Sequence, residues 1–146
     1  MQHTLVMLKP DVFMDLERIP EYDSFKKPLG TPDEFLAVVK WYIEALGFEI
    51  VIEKFEVIPQ ETIEAHYDEH RDSPAKFNFL VKSYIGAGPC HAMVVQWEDA
   101  IVRCRQLIMD IRAEYLETPK DARKNMTHAS ANAADAEREI KLHFNK

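Results

Sequence analysis

Thr31-Pro-Asp-Glu-Phe-Leu-Ala-Val-Val-Lys-Trp-Tyr-Ile-Glu-Ala-Leu-Gly47, running straight into Phe48-Glu-Ile-Val-Ile-Glu53, sets the fold class because two periodicities meet at one glycine. Thr31 is placed to cap a helix, Pro32 stands at its first position, and Asp33 and Glu34 lie where the helix dipole favours negative charge. Leu36, Val39, Ile43 and Leu46 then recur on one face, which predicts an amphipathic helix closed by Gly47. Beyond the glycine, Phe48, Ile50 and Ile52 alternate with Glu49, Val51 and Glu53, the period of a half-buried strand. The alternation slips a phase before Phe55 and Val57, which predicts a bulge there. Upstream, Leu5-Val-Met-Leu-Lys-Pro reads as a buried strand ended by proline, delivering Lys9 to a loop. Residues 11–33 carry Pro20, Pro28, Gly30 and Pro32 among mixed charges without a sustained period, and read as an irregular insertion.

Downstream, Pro59 begins a helical segment through Tyr67. Pro74 begins another, in which Phe77, Leu80, Val81 and Tyr84 share a face before Gly86-Ala-Gly-Pro ends it. Cys90 to Trp97 is β-rich, and Asp99 to Met109 returns to helical spacing through Ile101, Cys104 and Ile108. Glu114 to Asp121 reads as loop, a brief strand precedes His128, and Asn132 or Ser130 caps a last helix reaching about Leu142. This order predicts one α+β domain over residues 1–146: a ferredoxin-like split βαβ with a four-stranded antiparallel sheet and helices packed on one face.

A chain of 146 residues, 47% hydrophobic and 29% charged, fits a single domain with a real core. Its net charge of -7 excludes broad nucleic-acid binding, which needs a basic surface. A small phosphate-bearing ligand stays compatible, given a local cluster of Lys and Arg with Mg²⁺ to offset the acidic field. The apolar stretches are strand-sized and broken by charge, and Met-Gln-His-Thr lacks the features of a secretory signal, so no membrane association and a cytoplasmic location are expected. Cys90 and Cys104 fall in apolar periodic segments and read as buried thiols.

Asn125-Met-Thr-His-Ala-Ser130 places a histidine beside a small-residue turn at the mouth of a helix. Such an imidazole can have one nitrogen held while the other attacks an electrophile without a separate base. On its own a histidine at a turn is more often structural, but Asn125, Ser130 and Glu139 offer it a polar shell. Lys9 reads either as a functional cation or as a solvated strand end. His66-Tyr-Asp-Glu-His70 has a spacing that holds zinc on a helix, yet no glutamate follows the first histidine as a metalloprotease requires, so two solvated histidines are expected. Gly86-Ala-Gly-Pro lacks the ending of a P-loop and reads as a turn. Glu49, Glu53 and Glu56 read as a solvated strand face.

Leu8-Lys-Pro-Asp resembles the N-terminal signature of nucleoside diphosphate kinases, and Asn125-Met-Thr-His-Ala-Ser followed by Ala136-Glu-Arg-Glu-Ile resembles their active-site signature. Ala65-His-Tyr, Leu80-Val-Lys, Gly88-Pro-Cys-His-Ala-Met-Val and Ile111-Arg-Ala-Glu-Tyr are similar to further family blocks, in family order. The resemblance implies that His128 takes the γ-phosphoryl group of a nucleoside triphosphate and passes it to a diphosphate in two half-reactions. It implies that Glu139 holds the imidazole and Ser130 sits beside it. Lys9, Tyr67, Arg105, Arg112 and Asn125 match residues that hold the phosphates, the ribose and the ring's surroundings. Phe77 is the aromatic placed to stack on the base, although Pro74-Ala-Lys-Phe departs from the family's proline-then-aromatic pattern and core packing is its stronger reading. Mg²⁺ is expected on the nucleotide phosphates, with no direct protein ligand, and a homo-oligomer is expected.

The departures carry expectations too. Val12 stands where the family has glycine, and the stretch before the first helix is longer. The loop that in the family precedes the Ile111-Arg segment, with a phosphate-contacting threonine and a trimer contact, is almost absent, since Met109-Asp110 leads directly to Ile111. This predicts an assembly other than the usual hexamer. Ala131 replaces an acidic residue, a loss that Glu69 would offset by holding a metal-bound water. The intact His128, Lys9, Asn125 and Glu139 favour an active kinase; the shortened loop favours a nucleotide-binding or protein-interaction relative, and a phosphohistidine carrier is a third reading.

Overall fold

Leu5, Val6, Met7 and Leu8 are each at most 1% exposed, so this strand is covered on both faces, and the reason is its place inside the sheet. The computed structural model describes residues 1–9, 31–82, 84, 88–115 and 127–144. Most of the expected 11–33 insertion, Asn125 and the Gly86-Ala87 step lie outside the described residues. Strands β1 (Gln2–Leu8), β2 (Glu49–Glu56), β3 (Cys90–Trp97) and β4 (Thr127–Ala129) alternate with helices α1 (Pro32–Ala45), α2 (Gln60–His66), α3 (Pro74–Lys82), α4 (Ala100–Tyr115) and α5 (Ala133–Phe144). The sheet runs β2-β3-β1-β4, every pair antiparallel, which is the expected split βαβ arrangement.

The helices, however, cover both faces rather than one. Alternation along β1 sends Val6 and Leu8 into a core with Phe35, Val39 and Ile43 of α1 and Cys104, Leu107, Ile108 and Ile111 of α4. Leu5 and Met7 point the other way, into a core with Ile63 of α2, Leu80 and Val81 of α3, and Ile140 and Phe144 of α5. A strand apolar at every position has two faces to bury, a signal already present in Leu5-Val-Met-Leu.

The deciding stretch folds as its periodicity requires. The Thr31 hydroxyl accepts from the Glu34 amide at 3.1 Å. At the other end Gly47 takes φ +87°, its N–H bonds to the Glu44 carbonyl at 2.9 Å, and the Phe48 N–H reaches Ile43 at 3.1 Å. That pair of bonds satisfies carbonyls the helix leaves over and turns the chain into β2. The buried stripe centres on Phe35, Val39 and Ile43, while Leu46 is 40% exposed. The bulge lies at Val51 rather than before Phe55, for Ile50 pairs with Val95 and Ile52 with Val94. Phe55 and Val57 are exposed because β2 is the sheet's outer strand. Its acidic residues Glu49, Glu53 and Glu56 are all exposed as expected, and Glu53 also meets Lys40 at 2.8 Å and His91 Nε2 at 2.8 Å. The Lys40 hydrogen bond holds its carboxyl below the usual range, outweighing a smaller effect of burial.

Helix α4 runs unbroken through Met109, Asp110 and Ile111 and takes in Glu114 and Tyr115, the first two residues of the expected 114–121 loop, the rest of which lies outside the described residues. Tyr115 is drawn into the helix by its edge-on contact with Phe35, ring centroids 5.3 Å apart. Cys90 and Cys104 are buried, as expected, and burial pushes the Cys104 thiol up to about 12. Among the described residues no helix is long and apolar enough to cross a membrane.

Candidate active site

Strand β4 pairs with β1 so that His128 faces Met7 and Ala129 faces Val6. The expected brief strand therefore contains the histidine instead of preceding it, and alternation puts His128 on the same side as Leu5 and Met7, under α2 and α5. After Ala129 the chain stays attached to β1 at one more residue. The Ser130 amide donates to the Leu5 carbonyl at 3.1 Å, and the Leu5 amide donates to Ser130 Oγ at 3.2 Å. Asn132, not Ser130, caps α5: its Oδ1 accepts from the Asp135 amide at 2.8 Å. Helical spacing then brings Ala136, Glu139, Ile140 and His143 to the sheet side.

Glu139, 3% exposed, is the hub. Its Oε1 accepts from Ser130 Oγ at 2.7 Å and lies 3.0 Å from His128 Nε2, while Oε2 faces His66 Nε2 at 3.6 Å and Arg138 at 3.9 Å. Burial alone would raise this carboxyl; hydrogen bonds and charge from His128, the Ser130 bond and Arg138 outweigh it and hold the pKa below its ordinary value. An ionised Glu139 orients His128 with the proton on Nε2, leaving the lone pair on Nδ1.

His66 is 2% exposed, which corrects the expectation of a solvated pair with His70. Its ring stands edge-on to that of His128, centroids 4.7 Å apart, and its Nδ1 shares a 2.8 Å hydrogen bond with Nε2 of His143. Burial and the neighbouring cations push His66 well below its usual pKa, and burial with Lys54 pushes His143 down to about 4, so both rings are neutral. Lys54 also donates to the His143 carbonyl. Neither residue's part here was read from the sequence. The four-residue step from Glu139 to His143 on one helix face was the available signal for His143; nothing local marks His66 as its partner. His70 is half-exposed beside Glu69, its Nε2 3.5 Å from the Glu69 carboxylate.

The other expected residues divide. Lys9 is buried at 3% exposure with Nζ 5.7 Å from the Tyr84 ring, which rules out a solvated strand end. Tyr67 is buried too; its hydroxyl bonds to that of Tyr84 at 3.3 Å and burial raises its pKa. Arg112 reaches across to β4, donating to the Thr127 carbonyl at 2.5 Å and to its hydroxyl at 3.3 Å. Burial, then Arg105 two turns away on the same helix, lowers the Arg112 pKa to about 10. Arg105 itself is exposed. Phe77 packs half-buried against the core of that face with the Arg71 guanidinium 4.8 Å over its ring, in line with core packing. Glu69 shares an open surface depression with Arg71 and Arg138.

Comparison with known proteins follows the same lines. The family model described as "Nucleoside diphosphate kinase" matches residues 25–146. The nucleoside diphosphate kinase of Thermobifida fusca is 33% identical over 99% of this chain and 97% of its own length. That of Archaeoglobus fulgidus is 34% identical over 99% and 87%. Among solved structures, the halophilic nucleoside diphosphate kinase of Halobacterium salinarum in complex with CDP superposes with a TM-score of 0.71 at 30% identity, covering 99% of this chain and 88% of that one. A transition state mimic of the Borrelia burgdorferi enzyme with bound vanadate and ADP gives 0.70 at 26%, covering 98% and 86%.

Proposed function

The chain belongs to the nucleoside diphosphate kinase family and is a nucleotide phosphotransferase, and on that premise we propose that His128 Nδ1 is the atom that carries the phosphoryl group. The observation that carries the reading is the held imidazole: Nε2 lies 3.0 Å from Glu139 Oε1, and that oxygen is fixed by Ser130 at 2.7 Å. The Nδ1 lone pair attacks the γ-phosphorus, the bond from phosphorus to the β,γ-bridging oxygen breaks, and the nucleoside diphosphate leaves with that electron pair. A second diphosphate then takes the group back through the reverse step, a ping-pong cycle. Glu139 stabilises the Nε2–H as the ring gains positive charge. The ADP and vanadate held by the Borrelia burgdorferi enzyme, and the CDP held by the Halobacterium salinarum enzyme, support nucleoside diphosphates of more than one base as substrates.

Phosphoryl transfer asks a protein for position and for compensation of charge on the oxygens. Lys9, Arg105 and Arg112 supply cations for the second role, and the family match assigns Tyr67 and Asn125 to the nucleotide as well, while Phe77 stays with the core it packs on. Mg²⁺ prefers oxygen ligands and retains waters, so the nitrogen-rich grouping around His128 suits it poorly. It fits on the nucleotide phosphates, where it would neutralise charge, with Glu69 within the set of groups able to hold one of its waters.

Incubated with Mg²⁺ and γ-labelled ATP, the protein is expected to acquire acid-labile, alkali-stable label that GDP removes, and His128→Asn is expected to acquire none. Absence of label on the wild type would end this reading. A nucleotide-binding relative without turnover is the second reading, favoured by Arg112, whose guanidinium is already spent on Thr127. It predicts ADP binding by calorimetry with no label. The continuous α4 at Met109–Ile111 further supports a homo-oligomer other than the hexamer, and a hexamer in sedimentation velocity would contradict that.

A further inference from the structure

We propose that His66, His128 and Glu139 form an inhibitory site for a divalent transition ion with affinity for nitrogen and oxygen, such as Zn²⁺, and that this ion and the phosphoryl group exclude one another on His128. The inhibition, though not the site, rests on the phosphohistidine reading above. One ligand atom from each of the three residues lies within 4.8 Å of the other two. His66 Nε2 is buried and has no hydrogen-bond partner among the described residues, although it points at a carboxylate oxygen 3.6 Å away. A buried nitrogen and a buried oxygen facing each other beyond hydrogen-bond length leave room for a cation that would bond to both.

The surrounding geometry is that of a ligand set. His66 Nδ1 is fixed by His143 Nε2 at 2.8 Å, the hydrogen bond through the far nitrogen that orients ligating imidazoles. Glu139 is fixed by Ser130 at 2.7 Å. Two imidazoles and one carboxylate with an open fourth position is a set that zinc accepts. Tetrahedral bonds of about 2.0–2.1 Å place neighbouring ligand atoms roughly 3.4 Å apart. The observed 3.0 Å from His128 Nε2 to Glu139 Oε1 and 3.6 Å from His66 Nε2 to Oε2 lie on either side of that spacing, one to each oxygen of the carboxylate. Mg²⁺ does not compete, because it prefers oxygen and octahedral geometry. The guanidinium of Arg138, 3.9 Å from Glu139, opposes the ion's charge.

Exclusion follows from the ring's proton. His128 now presents Nε2–H to Glu139 and a lone pair at Nδ1. An ion on Nε2 takes that nitrogen's lone pair, and the displaced proton sits on Nδ1 of the still neutral ring. Nδ1 then has nothing with which to attack phosphorus. The reverse holds as well: attack through Nδ1 leaves the ring an imidazolium whose Nε2–H is held by the Glu139 carboxylate, so an ion meets no lone pair there.

The test uses Co²⁺ as a coloured probe on the whole chain without nucleotide. The wild type is expected to develop visible d–d bands saturating at one Co²⁺ per chain and erased by Zn²⁺. His66→Gln is expected to weaken them by about tenfold or more, and His70→Gln to leave them unchanged. Protein labelled beforehand with ATP is expected to show no bands, a measurement that needs no variant if His66→Gln fails to fold. Zn²⁺ added over saturating Mg²⁺ should block labelling of the unphosphorylated chain. Bands that survive His66→Gln, bands lost in His70→Gln, or bands equal in phosphorylated and free protein would each overturn the site. Should ATP leave no label at all, the kinase reading fails while the Co²⁺ titration still judges the metal site.

Discussion

One sheet separates two cores of different composition. The face under α1 and α4 is lined by Phe35, Val39, Ile43, Met93, Val95, Leu107 and Ile108, and the buried polar groups that β1 and β3 turn to it are Thr4 and His91. The face under α2, α3 and α5 has an apolar cluster of its own, yet Lys9, His66, Glu139 and His143, each 3% exposed or less, are also buried on that side of the protein or at its edge. Buried polar groups cost free energy unless paired, so the second face gives up stability for a constellation with fixed protonation states, and the first supplies the apolar burial that tolerates it. Consecutive residues of a single strand, Met7 and Leu8, belong to the two different regimes.

The contrast can be broken at several points. Replacing His128 by Asn is expected to lower turnover by at least about 10³-fold while shifting stability by under about 1 kcal/mol. Thermal melting beside a coupled assay checks both, and a collapse in melting temperature would put His128 on the structural side. On the other face, Phe35→Ala should cost roughly 3–5 kcal/mol in urea unfolding, because it empties a fully buried site packed on Tyr115, with turnover per folded molecule unchanged. A variant as stable as the wild type would show that the α1 core has slack.

The smallest effect concerns pH. His143 titrates near 4 in the folded protein against 6.5 for an ordinary histidine, so between those values the unfolded chain binds the extra proton. Its share of stability is complete above pH 6.5 and is lost as pH falls towards 4, about 3 kcal/mol in all. The lowered pKa of His66 acts in the same direction. Glu139, also lowered, adds a loss only below the ordinary carboxylate range, as pH falls through its folded value. Urea midpoints across pH 7.5 to 4.5 should therefore fall, and fall less in His143→Phe. Equal slopes in the two proteins would mean that the buried histidines are not what separates the faces.

Legibility followed the range of the interaction. The Thr31 cap, the glycine stop at Gly47, the order of the described strands and α-helices and the helical face carrying Glu139 depend on neighbours within a turn or two, and periodicity reveals them. The Val51 bulge was misplaced because it is set by pairing with Val94 and Val95, which the alternation of β2 alone does not report. The two-faced sheet was missed although a strand apolar at every position indicates it. His66 reads as solvated, and Lys9 stays open between a functional cation and a solvated strand end, because each is polar and local pattern says nothing of what packs above it.

The sequence by itself thus determined the elements, their order and the residues able to carry chemistry, since capping, period and motif spacing are local properties of the chain. Only the tertiary structure decided which of those residues meet. His66 and His143 are 77 residues apart, and Ser130 closes onto Leu5 across 125. Antiparallel register between β1 and β4, and the seating of α5 against that sheet, bring Ser130 and His128 within hydrogen-bond distance of Glu139, set His66 3.6 Å from it, and join His66 to His143. The same seating holds the Glu139 carboxylate 3.0 Å from Nε2, and that carboxylate fixes which nitrogen of His128 carries the proton.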